Sequence, residues 1–308
     1  MKGIKFDPDK DGFYGTYYAD PNDSDCVMIG LFGDDPNDYM AKCGAKWLHR
    51  QGVNCMAMSP GHKDYSHVNC PLERIETAIM WLKEHGNRKF GIMGMSTAGM
   101  HSLVAASYFS DITLTFGITA SDYVWQGFIQ GKKDGCKEWP VPNASTLSWQ
   151  GKPLPYMPFV YQHPDYWHKI EEETKGSGDF IRSTCLFRDS EKSRPHPEEE
   201  MIKIENINGK LILIGADDDS LWEAGKYVRR MDERLKSRPH KCEYEAVAYE
   251  YGTHFVLPES LLRIAMPVGL KFVLKFCFKS AKEHPDECEK TRIDIDKRFT
   301  KAIKEWKG

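Results

Sequence analysis

Short apolar segments alternate along this chain with longer segments in which apolar residues recur at helical spacing. This alternation predicts βαβ units and an α/β fold with a mostly parallel central sheet flanked by helices. The predicted strands are residues 13–18, 26–32, 53–58, 89–93, 112–118, 210–214 and 242–247. The predicted helices are residues 39–51, 71–85, 96–109, 221–235 and 291–306.

The alternation stops between residues 122 and 206, where the chain is rich in Trp, Pro and Gly and has no sustained periodicity. An irregular stretch of this length inside a compact domain is usually a functional insertion or lid. We therefore predict one α/β domain over residues 1–308, with a lid-like insertion at residues 122–206 that precedes the acid-bearing strand.

Composition and charge exclude several classes of protein. The formal net charge is -3 and the chain has no basic block, which argues against a nucleic-acid partner. The 9 cysteines are scattered and never form C-x-x-C, so we expect reduced thiols and no metal site or cofactor. Neither a signal peptide nor a bilayer-spanning segment is visible, and the expected location is therefore the cytoplasm.

A candidate nucleophile lies at Ser96, within the segment Gly94-Met95-Ser96-Thr97-Ala98-Gly99. This segment joins a predicted strand to a predicted helix, which is the context of the G-x-S-x-G nucleophile elbow, with Ala98 in place of the second glycine. The strained turn requires small residues two positions before and after the serine, and Gly94 and Ala98 are small. The alternative is an ordinary turn in which Ser96 caps the helix.

Candidate partners of this serine follow later strands. Asp217 to Asp219 follow the strand at residues 210–214, and His254 follows the last predicted strand. The chain order Ser, Asp, His is the order expected of an α/β-hydrolase triad. We predict Asp218 as the acid, because the third residue after the strand-end Gly215 is the usual location. The alternatives are a solvated aspartate turn and a loop histidine that bonds to the backbone.

Two backbone amides are candidates for an oxyanion hole. The amide of Thr97 would lie at a helix N-terminus, where the helix dipole favours negative charge. The second donor is expected from the loop after the strand at residues 26–32, and our candidate is the amide of Asp34. In the competing interpretation, Asp35 or Asn37 of that loop caps the next helix.

An amphipathic helix is also predicted at residues 270–278, where Lys271, Lys275 and Lys279 recur at i, i+4 and i+8 among apolar residues. We expect its apolar face to pack on the core or on a partner subunit, which would make the protein a homo-oligomer. A membrane-surface contact, or a basic contact to a coenzyme A phosphate, is the alternative.

Several segments together resemble one family: residues 29–33, 71–82, 91–96, 149–155, 197–205 and 215–218. In this order they are similar to the catalytic domain shared by acyl-CoA thioesterases and bile acid-CoA:amino acid N-acyltransferases. The resemblance implies an α/β-hydrolase fold and a triad of Ser96, Asp218 and His254. It also implies acyl transfer through an acyl-enzyme to water or to an amino acid. A serine nucleophile resembles the hydrolytic members, since a cysteine is typical of the transferases.

We therefore expect a serine hydrolase that acts on an acyl thioester or ester, a small-molecule substrate. One alternative is a carboxylesterase or peptidase-like hydrolase without coenzyme A specificity, and another is an N-acyltransferase. A third alternative is a binding protein that has the fold and no activity, because Ala98 and the acidic loop at Asp34 depart from the family pattern.

Overall fold

The computed structural model describes residues 2–32, 38–61, 66–130, 138–195 and 197–308. The strands are β1 (Ile4–Phe6), β2 (Gly15–Tyr18), β3 (Cys26–Gly30), β4 (Asn54–Met58), β5 (Cys70–Pro71), β6 (Lys89–Met95), β7 (Ile112–Ile118), β8 (Gln126–Gln130), β9 (Glu138–Ser145), β10 (Leu147–Trp149), β11 (Lys152–Pro153), β12 (Lys210–Ala216) and β13 (Glu243–Tyr249). The helices are α1 (Pro8–Asp11), α2 (Tyr39–Arg50), α3 (Glu73–Glu84), α4 (Thr97–Tyr108), α5 (Asp165–Thr174), α6 (Thr184–Ser193), α7 (Ala224–Ser237), α8 (Glu259–Ala265), α9 (Leu270–Cys277), α10 (Lys279–Glu283) and α11 (Pro285–Lys307).

Within these ranges, eight strands form a central sheet in the order β1-β2-β4-β3-β6-β7-β12-β13. β2 is antiparallel to both of its neighbours, whereas all strands from β4 to β13 in this order run parallel. Parallel strands direct their carboxyl ends to one edge of the sheet, and in open α/β sheets ligands bind beyond that edge. This sheet confirms the predicted α/β-hydrolase fold.

Alternate residues of the parallel strands face opposite sides of the sheet, and each side has its own core. In β12, Leu211 and Leu213 belong to one core, while Ile212 and Ile214 belong to the other. Helices α3, α4 and α7 cover the first side, and α2, α8 and α11 cover the second. Strands buried on both faces are apolar throughout, which is why their positions were visible in the sequence.

The predicted strands and helices of the central sheet are present, with differences at their ends. Ile112–Ile118 matches its prediction, whereas β6 and β12 extend to Met95 and Ala216, two residues beyond the predicted ends. The last helix begins at Pro285, six residues earlier than predicted from 291. The strand Ile4–Phe6 was not predicted, because a three-residue edge strand is too short to show alternation.

The segment at residues 122–206 has regular elements that its sequence did not predict. β8 pairs with β9, and β10 pairs with β11 and with β5, which precedes α3. Its aromatic residues enter the same core as the first side of the sheet, where Trp125 stacks on Phe159 at 5.1 Å between ring centroids. The segment therefore packs on the sheet across that side.

A buried ion pair fastens this segment to the sheet. Arg230 of α7 donates to Asp122 at 2.7 Å and to Glu191 at 2.6 Å, and both acids are almost fully buried. Asp122 follows β7, and Glu191 lies in α6 of the insertion. Because both carboxylates are shielded from water, each needs a cation: Asp122 has Arg230, and Glu191 has Arg230 together with Lys226 at 3.0 Å.

We predict that Arg230→Met lowers the free energy of unfolding by about 3–5 kcal/mol, because it leaves Asp122 as a buried carboxylate without its cation. The matched control is Arg229→Met on the same helix. Arg229 pairs with Asp217, and both side chains are about half exposed, so a loss below about 1 kcal/mol is expected. Urea denaturation followed by tryptophan fluorescence measures both values. Equal losses in the two variants would contradict a special role for the buried pair.

Candidate active site

The candidate residues lie at the carboxyl ends of neighbouring strands. Ser96 directly follows β6, Asp217 to Asp219 follow β12, and His254 lies in the loop after β13. The order β6-β7-β12-β13 brings these three loops to one edge of the sheet. Adjacent strands are about 4.8 Å apart, so residues far apart in the sequence meet here.

Ser96 occupies a strained backbone conformation, with φ 60° and ψ -128°. A non-glycine residue in such a region costs about 1–3 kcal/mol and persists only where surrounding contacts fix it. Its amide donates to the carbonyl of Ile118 at 2.9 Å and to Thr119 Oγ1 at 3.3 Å, and its carbonyl accepts from the amide of Met100 at 3.0 Å. The turn is therefore held by β7 on one side and by α4 on the other.

The small residues around Ser96 are explained by close backbone contacts. A Cβ at Gly94 would lie 2.3 Å from the carbonyl oxygen of Ala98, and a Cβ at Gly99 would lie 2.7 Å from that of Ile118. The second tight position is thus Gly99, one residue beyond the usual second glycine of the motif. Ala98, at the position where glycine is usual, is only partly buried.

His254 pairs with Asp219, and the prediction that Asp218 orients it is wrong. His254 Nδ1 and Asp219 Oδ2 are 2.8 Å apart, and both side chains are almost completely buried. A carboxylate oxygen accepts, so His254 Nδ1 donates this hydrogen bond and Nε2 takes no part in it. Asp219 Oδ1 accepts from the amides of Leu221 at 2.8 Å and Trp222 at 3.4 Å, which orients the carboxylate.

Asp218 instead anchors the loop that carries the histidine. Its carboxylate accepts from the amides of Gly252 at 2.9 Å and Thr253 at 2.8 Å, and from the hydroxyl of Ser280. Burial raises the pKa of Asp218, and these three hydrogen bonds oppose that rise. The shift from Asp218 to Asp219 follows from β12, which runs two residues further than predicted and places the turn later.

Ser96 and His254 are connected through two intervening residues, Thr119 and Trp222. Trp222 Nε1 donates to the carbonyl of Thr119 at 2.8 Å, and its ring centroid is 6.3 Å from that of His254. Thr119 in turn accepts from the Ser96 amide. Among the described residues, the Ser96 hydroxyl has no hydrogen-bond partner, and the His254 ring bonds only to Asp219. In enzymes without substrate, catalytic hydrogen bonds are often long and tighten only in the complex.

Of the two predicted oxyanion donors, Thr97 lies within the described residues and Asp34 does not. Thr97 is the first residue of α4, so its amide is one of the four at the N-terminus without an intrahelical acceptor. It lies beside Ser96 on the wall of both cavities described next. Asp34 lies outside the described residues.

Two cavities meet at Ser96. The first, the insertion cavity, has a volume of about 390 Å³. The second, the strand-end cavity, has a volume of about 490 Å³. Both lie in the size range of small-molecule sites. Their shared walls are Ser96, Thr97, Phe128, Leu221 and Phe255. The insertion cavity is otherwise lined largely by Trp125, Phe159, Tyr166, Ile170, Leu186 and Phe187, and the strand-end cavity by Leu31, Phe32, Met40, His67, Leu257 and Leu261.

The cysteines and acidic clusters offer no competing chemistry in the described part of the chain. Its eight cysteines are free thiols and only Cys277 is not fully buried. Burial raises the pKa of the Cys26 thiol to about 11 and that of Cys185 to about 12, so both are protonated at neutral pH. Within the same residues, no group of three or more His, Cys, Asp or Glu side chains could hold a metal ion.

No described helix has the length and apolar character needed to cross a bilayer.

The chain matches one protein family in sequence and several solved structures in fold. Residues 70–260 match the family described as BAAT / Acyl-CoA thioester hydrolase C terminal. No curated protein matches the chain.

Similar solved structures include a protein from Klebsiella pneumoniae assigned as a dienelactone hydrolase, at 9% identity and a TM-score of 0.51, with 98% of both chains covered. An acylaminoacyl peptidase from Pyrococcus horikoshii is 11% identical with a TM-score of 0.50, over 99% of this chain and 41% of that one. An esterase from Pyrococcus furiosus is 13% identical with a TM-score of 0.47, over 100% of this chain and 91% of that one. At these identities the likeness is one of fold.

We predict that Asp219→Asn slows covalent labelling of Ser96 by a fluorophosphonate by about 10³–10⁴-fold, because an amide neither fixes the Nδ1–H tautomer nor stabilises an imidazolium. Asp218→Asn is the matched control and should slow labelling by about tenfold or less. Its remaining oxygen can still accept from the two loop amides, and its NH₂ can donate to Ser280. Intact mass against time measures both rates. If Asp218→Asn slowed labelling more than Asp219→Asn, Asp218 would be the acid that orients His254.

Proposed function

The chain belongs to the BAAT / acyl-CoA thioester hydrolase C-terminal family, and we propose that it is a serine hydrolase that cleaves an acyl thioester or ester. The observation that carries the proposal is the strained Ser96 turn at a helix N-terminus, together with a buried pair of His254 and Asp219 at the same edge of the sheet. Such strain is maintained where a fold presents a nucleophile, and an ordinary strand-to-helix turn does not need it.

In this mechanism the Ser96 hydroxyl attacks the acyl carbon while His254 Nε2 takes its proton. Asp219 stabilises the imidazolium that forms, and the Thr97 amide donates to the developing oxyanion. The intermediate collapses as the thiol or alcohol leaves with the proton from His254, and Ser96 keeps the acyl group as an ester. His254 then activates a water molecule, which attacks this ester and releases the free acid.

The two cavities divide the substrate between them. The insertion cavity is more enclosed and is lined mainly by aromatic and aliphatic side chains, which suits an apolar acyl group. The strand-end cavity opens on the other side of Ser96 and would receive the leaving group. In this proposal the scissile bond lies at Ser96, where the two cavities join.

The cavity walls bear on the identity of the leaving group. Among the described residues that line either cavity, none is a lysine or an arginine. The strand-end wall contains one histidine among these residues, His67. Coenzyme A carries several phosphate charges, which proteins usually bind with Arg, Lys or helix N-termini. The cavities therefore support recognition of the acyl group and of the reacting bond more than recognition of the nucleotide.

We predict that wild-type protein gives a single covalent adduct with a fluorophosphonate and that Ser96→Ala gives none. Ser96→Ala should also lower ester or thioester hydrolysis by about 10³-fold or more, because the nucleophile is lost. Ser102→Ala is the matched control: its hydroxyl bonds to the Ala98 carbonyl in the next turn of α4. Absence of an adduct on folded wild-type protein would favour the non-catalytic binding protein.

A second prediction concerns coenzyme A. The kcat/KM values for an acyl-CoA and for the N-acetylcysteamine thioester of the same acid should agree within about tenfold, since the described residues of the two cavity walls include no lysine or arginine for the phosphates. A preference for the acyl-CoA of about a hundredfold or more would show that the nucleotide is recognised.

Mass spectrometry of the products with glycine or taurine present should detect free acid, and an amide product would favour the acyltransferase alternative.

A further inference from the structure

We propose that α9 and the adjoining Phe180 form a surface that docks onto an anionic lipid membrane. We call this surface the α9 patch, and its members are Phe180, Val268, Phe272, Val273 and Phe276. All five are exposed apolar side chains, with Phe272 at 76% and Phe276 at 65% of full exposure. Contiguous exposed aromatic residues on a protein with a full core mark an interaction site.

The arrangement of α9 shows that this exposure belongs to one helix face. Leu270 and Leu274 are buried and attach the helix to the core of the second side of the sheet. Phe272 and Phe276, four residues apart, lie on the opposite face, one turn above the other. The expected packing on the core therefore holds for Leu270 and Leu274 but not for the aromatic half of the helix, which is left for a partner subunit or a membrane.

The charge around the patch indicates the kind of partner. Residues 267–282 contain four lysines and no acidic residue, although the whole chain has a net charge of -3. Lys271 pairs with Glu289, and Lys279 has Glu283 at 3.9 Å. Among the described residues, Lys275 has no ion pair. Aromatic side chains flanked by lysines on one helix are the pattern of interfacial helices on anionic lipid.

The patch is continuous with the wall of the insertion cavity. The Phe180 amide donates to the carbonyl of Cys277 at 2.8 Å, and its ring lies 5.8 Å from that of Phe276. Ile181, the next residue, lines the insertion cavity. Docking through this surface would bring the cavity wall close to the lipid in which long-chain acyl compounds dissolve. The docking proposal does not depend on the hydrolytic activity.

Vesicle sedimentation tests the proposal without turnover. Wild-type protein should bind vesicles of equal parts phosphatidylcholine and phosphatidylserine about tenfold or more tightly than phosphatidylcholine alone, and salt should weaken this binding. Phe272→Ser/Phe276→Ser should reduce binding by about tenfold or more. Met80→Ser is the control, because Met80 is similarly exposed on α3, across the sheet from α9, and should leave binding unchanged.

Lys275→Gln provides an independent measurement if the double variant fails to fold, as judged by circular dichroism. It should weaken binding to the anionic vesicles about fivefold and leave binding to phosphatidylcholine unchanged. The proposal is overturned if wild type does not bind the anionic vesicles, or if neither variant binds more weakly. It is also overturned if light scattering shows a dimer that the double variant abolishes while vesicle binding persists, because the patch would then be a subunit contact.

Discussion

The strained backbone of Ser96 is the constraint on which the arrangement of the site depends. A residue at φ 60° does not stay there by its own preference, so the neighbouring elements have to hold it. The hydrogen bond from its amide to Ile118 ties it to β7, and the small residues Gly94 and Gly99 let α4 approach the strand ends. With the turn held in this way, the serine hydroxyl is presented to the edge of the sheet where the other two loops arrive.

The central sheet could be predicted because the sequence patterns that indicate its strands and helices are local. Strands buried on both faces are apolar throughout, and the helices that cover them repeat apolar residues at helical spacing, as Ile75, Ala78, Ile79 and Leu82 do. Ser96 and His254 could be placed at strand ends for the same reason. The identity of the acid could not be obtained in this way, because it depends on the residue at which β12 ends. Apolar periodicity locates such an end only to within about two to four residues.

The insertion is the opposite case, since its structure comes from contacts between distant parts of the chain. β10 pairs with β5, whose residues lie more than seventy positions earlier, and Arg230 reaches Asp122 from α7. Neither contact leaves a periodic pattern in the sequence of residues 122–206. Trp125 and Phe159 of this segment stack on each other and line the insertion cavity together with Ser96. A segment without sequence periodicity thus provides one wall of the site.

Asp218, which is half-buried, and Asp219, which is buried, show how two adjacent carboxylates are accommodated at one turn. Burial raises the pKa of Asp218, and the neighbouring charge of Asp219 adds to that rise. The structure gives each carboxylate separate donors: Asp218 receives loop amides and Ser280, whereas Asp219 receives the turn amides and His254. Because Asp218 accepts from two amides of the loop after β13 and Asp219 binds its histidine, one carboxylate fixes the backbone of that loop and the other fixes its imidazole. A motif that specifies only an acid after the strand does not separate these two tasks, and the hydrogen-bond donors that separate them are distant in sequence.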